Sequence, residues 1–500
     1  MSESRKHPVT KAAAEKDAGD PRRWRALAAL ALVQFMIVID NTVVNVALPS
    51  IQHDLRLSAT GLAWVVNGYL LTAGGLLLLG GRIADLVGRR RMFLIGTAVF
   101  AFASLGAGLA QGGSTLLACR FLQGAGEAMA APAALSMVPL LFTNAKERAK
   151  AFGIWGGLAG LGAMVGVVLS GIIVDLIDWR WIFFINIPLA VLPLLLVPRL
   201  TDESRSPKPP RRIDFPGAVL VTAGTTIVVY ALLSAAEHNW GSANVLIPLL
   251  VGIATLSAFV IVELNTAEPL VPMRFFANRT RVSANACTVL MASSMMAMFF
   301  LIVQYGQNIL HFTPLQSGLA YLPFCVAFAP GLMISMQLVP RLGAGITLAI
   351  GFAISAVGMY LLSGISVGGT YVRDLLPAMI VLAIGLGMAN PALQQAALHG
   401  VSQEDSGLAS GVQTTVMQAG SALGLAVFVT LAIRRSLDQT AGGVAADAAA
   451  AAGYRLAFWI CAIVLAVGAV AALVLIQRDR EPVQQQQPSA PVPQESMARR

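Results

Sequence analysis

Apolar residues in this chain come in blocks of about 20, separated by short segments that hold most of the charge. A helix of that length crosses the ~30 Å hydrocarbon layer of a bilayer, at about 1.5 Å per residue. Of all residues 56% are hydrophobic and 12% are charged, whereas soluble domains carry roughly 25% charged residues. The chain is therefore predicted to be an all-α polytopic membrane protein.

The number and polarity of these blocks predict the topology. An even number of spans puts both chain termini on one side of the membrane, and most of the 34 Lys and Arg residues fall on that same side. Because basic loops mark the cytoplasmic side, we expect both termini in the cytoplasm. The fourteen predicted spans are 25–48, 61–80, 92–110, 115–141, 149–174, 181–198, 216–236, 244–264, 283–308, 317–339, 346–365, 375–398, 407–432 and 455–476.

Composition also bears on partners and location. The net charge of +9 is explained by this topology and by contact with anionic lipids, so no nucleic-acid partner is expected. The Ala-, Gly- and Arg-rich composition with few Lys is typical of a bacterium with GC-rich DNA. We therefore expect a multi-pass protein of the plasma membrane, and we expect it to be monomeric.

Small-residue patterns recur in the same order in the two halves of the chain. Gly88, Gly96, Gly126, Gly162 and Gly166 are matched by Gly343, Gly351, Gly385, Gly420 and Gly424, at offsets of 255 to 259 residues. We interpret this as a duplication that gives two parallel, pseudo-twofold halves of six helices, with two helices inserted between them, a 6+2+6 order. The predicted regions are a cytoplasmic tail (1–24), an N-terminal bundle (25–198), a cytoplasmic linker (199–215), two inserted helices (216–264), a C-terminal bundle (283–476) and a disordered cytoplasmic tail (477–500).

A Gly-, Asp- and Arg-containing loop joins the second and third spans on the cytoplasmic side. Its glycines permit a tight turn, and its acid can face a helix N-terminus or a basic group. We expect a conformational latch there, whereas an ordinary basic loop would explain only the arginines. The latch residues are Gly81, Asp85, Gly88, Arg89 and Arg90.

Three ionisable residues lie well inside apolar blocks: Asp40, Arg120 and Glu127. Charges there cost at least ~2.5–3.5 kcal/mol, so they are candidates for function. Arg120 and Glu127 are seven residues apart and share one helix face. We expect Asp40 or Glu127 to carry a transported proton, with Arg120 lowering the pKa of the nearby acid or holding substrate and proton in competition. The alternative is a structural Arg–carboxylate pair between the first and fourth spans.

Polar side chains on other spans are candidates for a substrate cavity. The alternative explanation for each of them is a hydrogen bond between helices. The candidates are Gln34, Asn41, Asn45, Asn67, Gln304, Asn308, Asn390 and Gln394.

Several motifs resemble one known family. Gly81-x-x-x-Asp85-x-x-Gly88-Arg89-Arg90 resembles the signature loop of the major facilitator superfamily. Four further segments are similar to motifs of its fourteen-span drug:proton antiporters, the EmrB/QacA-like group. These segments are 40–49, 64–69, 120–126 and 179–188. The resemblance implies a major facilitator fold and proton-driven export of drugs or self-made metabolites by alternating access.

The fifth span departs from that family. Antiporters of the group typically carry Gly-Pro-x-x-Gly-Gly there, whereas this chain reads Gly166-Val-Val-Leu-Ser-Gly171. Without the proline no kink is imposed, but Gly162, Gly166 and Gly171 keep a small-residue face for helix packing. Antiport and symport therefore both remain open.

Motifs of other functional classes are missing from the sequence. It has no phosphate-binding Gly-x-x-x-x-Gly-Lys-Ser/Thr, no metal-ligand spacing and no nucleophile elbow, so we expect no enzyme activity, cofactor or metal site. The first hypothesis is export of small amphipathic compounds in exchange for protons. The alternative is a symporter or an exporter of one metabolite or lipid, and a membrane enzyme or receptor is the third.

Overall fold

The computed structural model describes residues 22–205, 213–401 and 405–476. These residues contain fourteen helices long and apolar enough to cross a membrane, which confirms the predicted number. Residues 1–21 of the predicted N-terminal tail and the whole predicted C-terminal tail, 477–500, lie outside the described residues. The helices are α1 (Arg22–Leu55), α2 (Ala59–Val87), α3 (Arg89–Gly108), α4 (Gly113–Leu141), α5 (Ala145–Leu176), α6 (Trp181–Leu200), α7 (Phe215–Ser234), α8 (Ala243–Asn265), α9 (Arg279–Asn308), α10 (Pro314–Leu342), α11 (Ala344–Leu362), α12 (Tyr371–Ala397), α13 (Gly407–Ala441) and α14 (Ala446–Leu475).

Local capping signals fix where many of these helices begin. The side chains of Ser58, Asn144 and Asn278 accept backbone N–H groups in the first turns of α2, α5 and α9. Thr313 and Gln316 form a reciprocal capping box at the start of α10. Because such caps lie beyond the apolar blocks, several helices are longer than the spans predicted from hydropathy alone.

Two helix crossings carry the same pair of glycines. A Cβ on Gly96 of α3 would lie 2.7 Å from the Gly126 carbonyl of α4, and one on Gly126 would lie 2.9 Å from the Gly96 carbonyl. Gly351 of α11 and Gly385 of α12 show the same reciprocal contact, at 2.8 and 2.7 Å. The glycines allow the backbones to touch, and the repeated contact supports the internal duplication.

Helix partners repeat between the two ends of the chain. In the N-terminal part α1 packs on α5 and α6, α2 on α4, and α3 on α4 and α6. In the C-terminal part α9 packs on α13 and α14, α10 on α12, and α11 on α12 and α14. Helices α7 and α8 pack on each other, and α7 also contacts α2 and α13. This pattern agrees with the 6+2+6 order, which stays an interpretation of the packing.

Two seams join the halves. At one seam α2 packs on α13, where a Cβ on Gly74 would lie 2.7 Å from the Gln418 side chain. At the other, α5 meets the first turns of α10, and a Cβ on Gly171 would lie 2.8 Å from the Pro314 carbonyl. At Gly153 and Gly157, near the N-terminal end of α5, no atom lies within 4 Å of a Cβ position. The second seam is therefore tight only near the C-terminal end of α5.

Candidate functional site

The predicted trio of ionisable residues lies within the N-terminal bundle, and two of its members form a buried ion pair. Arg120 Nη1 lies 2.6 Å from Asp40 Oδ2, and each residue is only 1% exposed. Asp40 is on α1 and Arg120 on α4, so the pair joins two helices that are far apart in sequence. The structure therefore contains the Arg–carboxylate pair between the first and fourth spans that was the structural alternative.

Two further interactions hold the Arg120 guanidinium. Its Nε donates to the Val65 carbonyl of α2 at 3.0 Å. Its central carbon lies over the Tyr69 ring, 4.4 Å from the ring centroid. A cation over an aromatic face is stabilised further when both groups are desolvated. The guanidinium therefore joins three helices: α1, α2 and α4.

Two side-chain amides complete the hydrogen bonds of Asp40. Its Oδ1 accepts from Gln123 Nε2 at 3.0 Å and from Asn186 Nδ2 at 2.7 Å. Gln123 also accepts from Arg120 Nη1 at 2.9 Å and donates to Ser104 at 2.8 Å. A buried charged pair is tolerated when its remaining polar atoms are satisfied, as they are here for Asp40.

Glu127 lies next to this network, and its carboxyl group, unlike that of Asp40, has one oxygen without a hydrogen-bond partner. It is 6% exposed, and its Oε2 has no hydrogen-bond partner. The Tyr69 hydroxyl, which accepts from Asn41 Nδ2 at 3.1 Å, is also close enough to hydrogen-bond to the Glu127 carboxyl. Glu127 is therefore coupled to Arg120 and Asp40 through the Tyr69 side chain and through their charges. An ionised Glu127 leaves a buried acceptor unpaired, whereas a protonated one can itself donate.

The predicted cavity residues lie in separate groups. On α1, Asn41 donates to the Tyr69 hydroxyl and Asn45 donates to the Asn41 backbone carbonyl. Gln304 and Asn308 are paired on α9 at 3.4 Å, and Asn390 and Gln394 are paired on α12 at 2.8 Å. Gln34 is half-buried on α1. Asn67 is fully buried on α2, and neither of its side-chain amide atoms has a partner. Within the described chain, these groups do not form one continuous cluster of hydrogen bonds.

The predicted latch is a turn between α2 and α3 that needs glycine. Gly88 has φ 128°, a conformation that side chains disfavour. Asp85 accepts from the Nη2 of Arg89 at 2.8 Å, so its ion pair is made within the loop itself. Gly81 makes only ordinary contact, whereas a Cβ on its neighbour Gly80 would collide with the Ala128 carbonyl of α4.

Sequence reasoning missed the residue that holds this loop to the rest of the bundle. Glu203, just after α6, accepts the backbone N–H groups of Arg90 and Arg91 at 3.1 and 3.2 Å. Arg90 Nη1 donates to the Thr201 carbonyl at 2.8 Å. The beginning of the predicted linker is therefore bound to the N-terminus of α3, where the helix dipole favours a carboxylate.

The glycines of the fifth span pack on two partners. A Cβ on Gly162 would lie 3.1 Å from the Phe35 side chain, and one on Gly166 would collide with the Thr42 hydroxyl; both contacts are to α1. Gly171 instead faces the start of α10, at the seam between the halves. Ser170, where the family pattern has glycine, donates to the Val43 carbonyl at 2.6 Å.

Tyr69, Gln123 and Asn186 are site residues that the sequence reasoning did not select. All three lie inside the segments 64–69, 120–126 and 179–188, whose resemblance to family motifs was noted. Gln123 could have been found because it follows Arg120 by three residues and so shares its helix face. No local signal marks Asn186, which reaches Asp40 only through the packing of α6 on α1.

The chain matches one protein family over most of its length. The family model described as Major Facilitator Superfamily matches residues 30–425. The chain is 38% identical to the puromycin resistance protein pur8 of Streptomyces alboniger over 95% of both chains. It is 38% identical to the lincomycin resistance protein of Streptomyces lincolnensis, over 84% of this chain and 86% of that one. The cephamycin export protein CmcT of Amycolatopsis lactamdurans is 36% identical, over 81% and 84%.

Solved structures show the same fold at low sequence identity. A POT family transporter in complex with a thioalcohol-conjugated peptide superposes with a TM-score of 0.66 at 16% identity, covering 90% of this chain and 96% of that one. A bacterial homologue of the human lysosomal transporter Spinster, inward-facing and unoccupied, gives 0.62 at 17% identity, covering 92% and 98%. At these identities the likeness concerns the fold alone.

Proposed function

The chain belongs to the major facilitator superfamily, and we propose that it exports small amphipathic compounds from the cytoplasm across the plasma membrane in exchange for protons. The relatives named above are resistance and export proteins for antibiotics, which supports drug or antibiotic efflux as the activity. We place both termini in the cytoplasm, with the basic latch loop between α2 and α3 on the same side.

The observation that carries the proton-coupling proposal is the unpaired Glu127 oxygen. A transported proton needs a carboxyl that is stable in both protonation states at different stages of the cycle. Glu127 is buried, has a free oxygen, and feels the charges of both Asp40 and Arg120. Asp40, by contrast, has both oxygens bonded. We therefore assign the proton to Glu127 and the positioning of its surroundings to the Asp40–Arg120 pair.

Alternating access follows from the two seams between the halves. If the termini are cytoplasmic, the tight contact of Gly171 with α10 closes the outer side, and the N-terminal end of α5 faces a gap toward the cytoplasm. Loss of the proton from Glu127 would change the charge balance beside Arg120, which contacts α1 and α2. Rocking of the halves about this site would then exchange the open side.

A second candidate is export of one specific compound by the same fold. The resistance and export relatives named above each carry the name of a single antibiotic, which favours a dedicated exporter over a broad one. The polar pairs on α9 and α12 would then select that compound. A panel of structurally unrelated antibiotics in a transport assay separates the two candidates.

Purified protein in proteoliposomes with an imposed pH gradient tests the coupling. Glu127→Gln is expected to lose efflux driven by the gradient while keeping its fold, because glutamine matches glutamate in size. The matched control is Glu237→Gln, at an exposed glutamate in the connection between α7 and α8 that accepts from Thr60 at 3.0 Å. Full gradient-driven efflux by Glu127→Gln would overturn the assignment, and efflux coupled to a sodium gradient would overturn the choice of ion.

A further inference from the structure

A second pair of buried carboxyl groups lies outside the proposed transport site, on the two inserted helices. Asp214 caps the N-terminus of α7 and is 5% exposed, and Glu263 lies in the last turn of α8 and is 2% exposed. Both residues come from the hairpin α7–α8, to which the transport mechanism assigns no role. Neither acid has an ion-pair contact among the described residues.

Each carboxyl uses one oxygen and leaves the other free. Asp214 Oδ1 accepts from the Gly217 backbone at 2.8 Å, and Glu263 Oε2 accepts from the Val271 backbone at 3.2 Å. Asp214 Oδ2 and Glu263 Oε1 are buried without a partner. A Cβ on Gly217 would lie 2.5 Å from the first of these oxygens and 3.0 Å from the second, so the two free oxygens face the same point.

Among the described residues, Arg82 is the cation whose charge acts on this pair. Arg82, at the cytoplasmic end of α2, donates to the Pro269 carbonyl at 2.6 Å, and its charge acts on Glu263. One arginine can balance one carboxylate. Two carboxylates facing each other at one buried site repel, and such pairs hold a shared proton.

We propose that Asp214 and Glu263 bind one proton between their free oxygens, and that this proton keeps the segment 266–278 docked on α2 and α13. A proton on one free oxygen donates to the other, so a single O–H···O bond satisfies both acceptors at once. A metal ion fits less well, because the described residues contain no group of three or more acidic, His or Cys side chains and hard cations need more oxygens.

The segment 266–278 links the shared proton to the contact between the two halves. Leu270, Val271 and Phe275 of the segment form an apolar cluster with Leu79 of α2 and Val412 of α13. This cluster covers the seam where the halves meet. Loss of the proton leaves two facing anions, which separate, and Val271 is bound to one of them through its backbone. The hairpin α7–α8 thus makes the contact between α2 and α13 depend on the pH on the side of the membrane where the termini lie.

Infrared spectroscopy of the purified protein tests the shared proton directly, because a protonated carboxyl absorbs where a carboxylate does not. At neutral pH, Asp214→Asn and Glu263→Gln are each expected to lose one protonated carboxyl relative to the wild type. The control Glu237→Gln, on the same hairpin, is expected to match the wild type. An unchanged signal in both variants overturns the proposal, and so does a wild-type signal that disappears when sodium is added at constant pH.

Hydrogen exchange of the segment 266–278, corrected for the intrinsic effect of pH, tests docking on the wild type alone. Protection of its amides is expected to fall from neutral to alkaline pH, and Glu263→Gln is expected to keep it, since an amide N–H replaces the shared proton. Protection that does not change with pH in the wild type overturns the proposal. Neither experiment uses a substrate or a gradient, so both are independent of whether Glu127 couples export.

Discussion

The guanidinium of Arg120 lies 2.6 Å from the carboxylate of Asp40, and both side chains are almost completely excluded from solvent. Pairing in such a place does not by itself guarantee stability, because two charges have been taken out of water. Removal of one partner is the costly change, since it leaves the other charged and alone. The two partners differ in this respect, because a carboxyl can take up a proton whereas a guanidinium cannot lose one.

This asymmetry predicts the order of stability among variants of the pair. Asp40→Asn is expected to destabilise the protein by roughly 3–5 kcal/mol, because the Arg120 charge stays buried without a counter-ion. Arg120→Gln is expected to cost less, since the orphaned Asp40 can become neutral. The double variant is expected to recover part of the loss. Thermal unfolding in detergent measures all three, and a double variant less stable than Asp40→Asn would contradict the ion-pair interpretation.

Tyr69 separates the ion pair from Glu127, and its two parts can be tested apart. Tyr69→Phe keeps the ring that lies over Arg120 but removes the hydroxyl that Asn41 and Glu127 contact. Loss of that hydrogen bond is expected to cost about 1 kcal/mol of stability.

The same variant also predicts a change in pH dependence. The ionised form of Glu127 loses a donor, so the pH profile of efflux is expected to shift relative to that of the wild type. Efflux measured over a pH series in proteoliposomes checks the shift. The ring-directed control is Tyr69→Leu, which removes the cation–π contact as well and is expected to lower stability further. An unshifted profile in Tyr69→Phe would show that Glu127 does not titrate during transport.

The number of helices could be predicted because hydrocarbon thickness fixes the length of an apolar block. The charged trio could be predicted because buried charge is rare in such blocks. The pairing of Asp40 with Arg120, and not with another group, depends on how α1 and α4 cross. That crossing is set by contacts between residues distant in sequence, such as those of Asn186 with Asp40.

The latch shows a second limit of the sequence. The turn between α2 and α3 explains the glycine at position 88. Glu203 lies more than a hundred residues later, and no periodic pattern in the sequence predicts its contact with the N-terminus of α3. Likewise, charge patterning finds Glu263 only as an isolated acid near a helix end. Its proximity to Asp214 requires α7 and α8 to pack as a hairpin.

Glu203 is predicted to matter more for the latch than Asp85. Glu203→Ala removes the acceptor for two backbone N–H groups at the start of α3, a loss of about 0.5–2 kcal/mol by analogy with helix caps. Asp85→Asn breaks a half-exposed pair with Arg89, and such pairs contribute about 0–1 kcal/mol. Limited trypsin digestion at Arg89–Arg91 is expected to be faster in Glu203→Ala. Equal cleavage in both variants would contradict the capping role.

The fifth span offers a comparison of two glycines on one helix. Gly166→Ala places a methyl group against the Thr42 hydroxyl and near the Ile39 backbone of α1, so α5 and α1 must move apart. Overpacking of this kind costs typically about 1–3 kcal/mol. Gly157→Ala meets no atom within 4 Å and is expected to be neutral, or more stable by roughly 0.5–1 kcal/mol, since an unfolded chain with alanine has less conformational entropy to lose than one with glycine. Thermal unfolding of the two variants side by side measures the difference. If Gly166→Ala were as stable as Gly157→Ala, the close approach of α5 to α1 would be wrong.

Transport by Gly157→Ala provides a second test, because the N-terminal end of α5 must close on α10 if the halves rock. A stable but inactive Gly157→Ala variant is the result expected if that end of α5 forms the tight seam in the other state of the transporter.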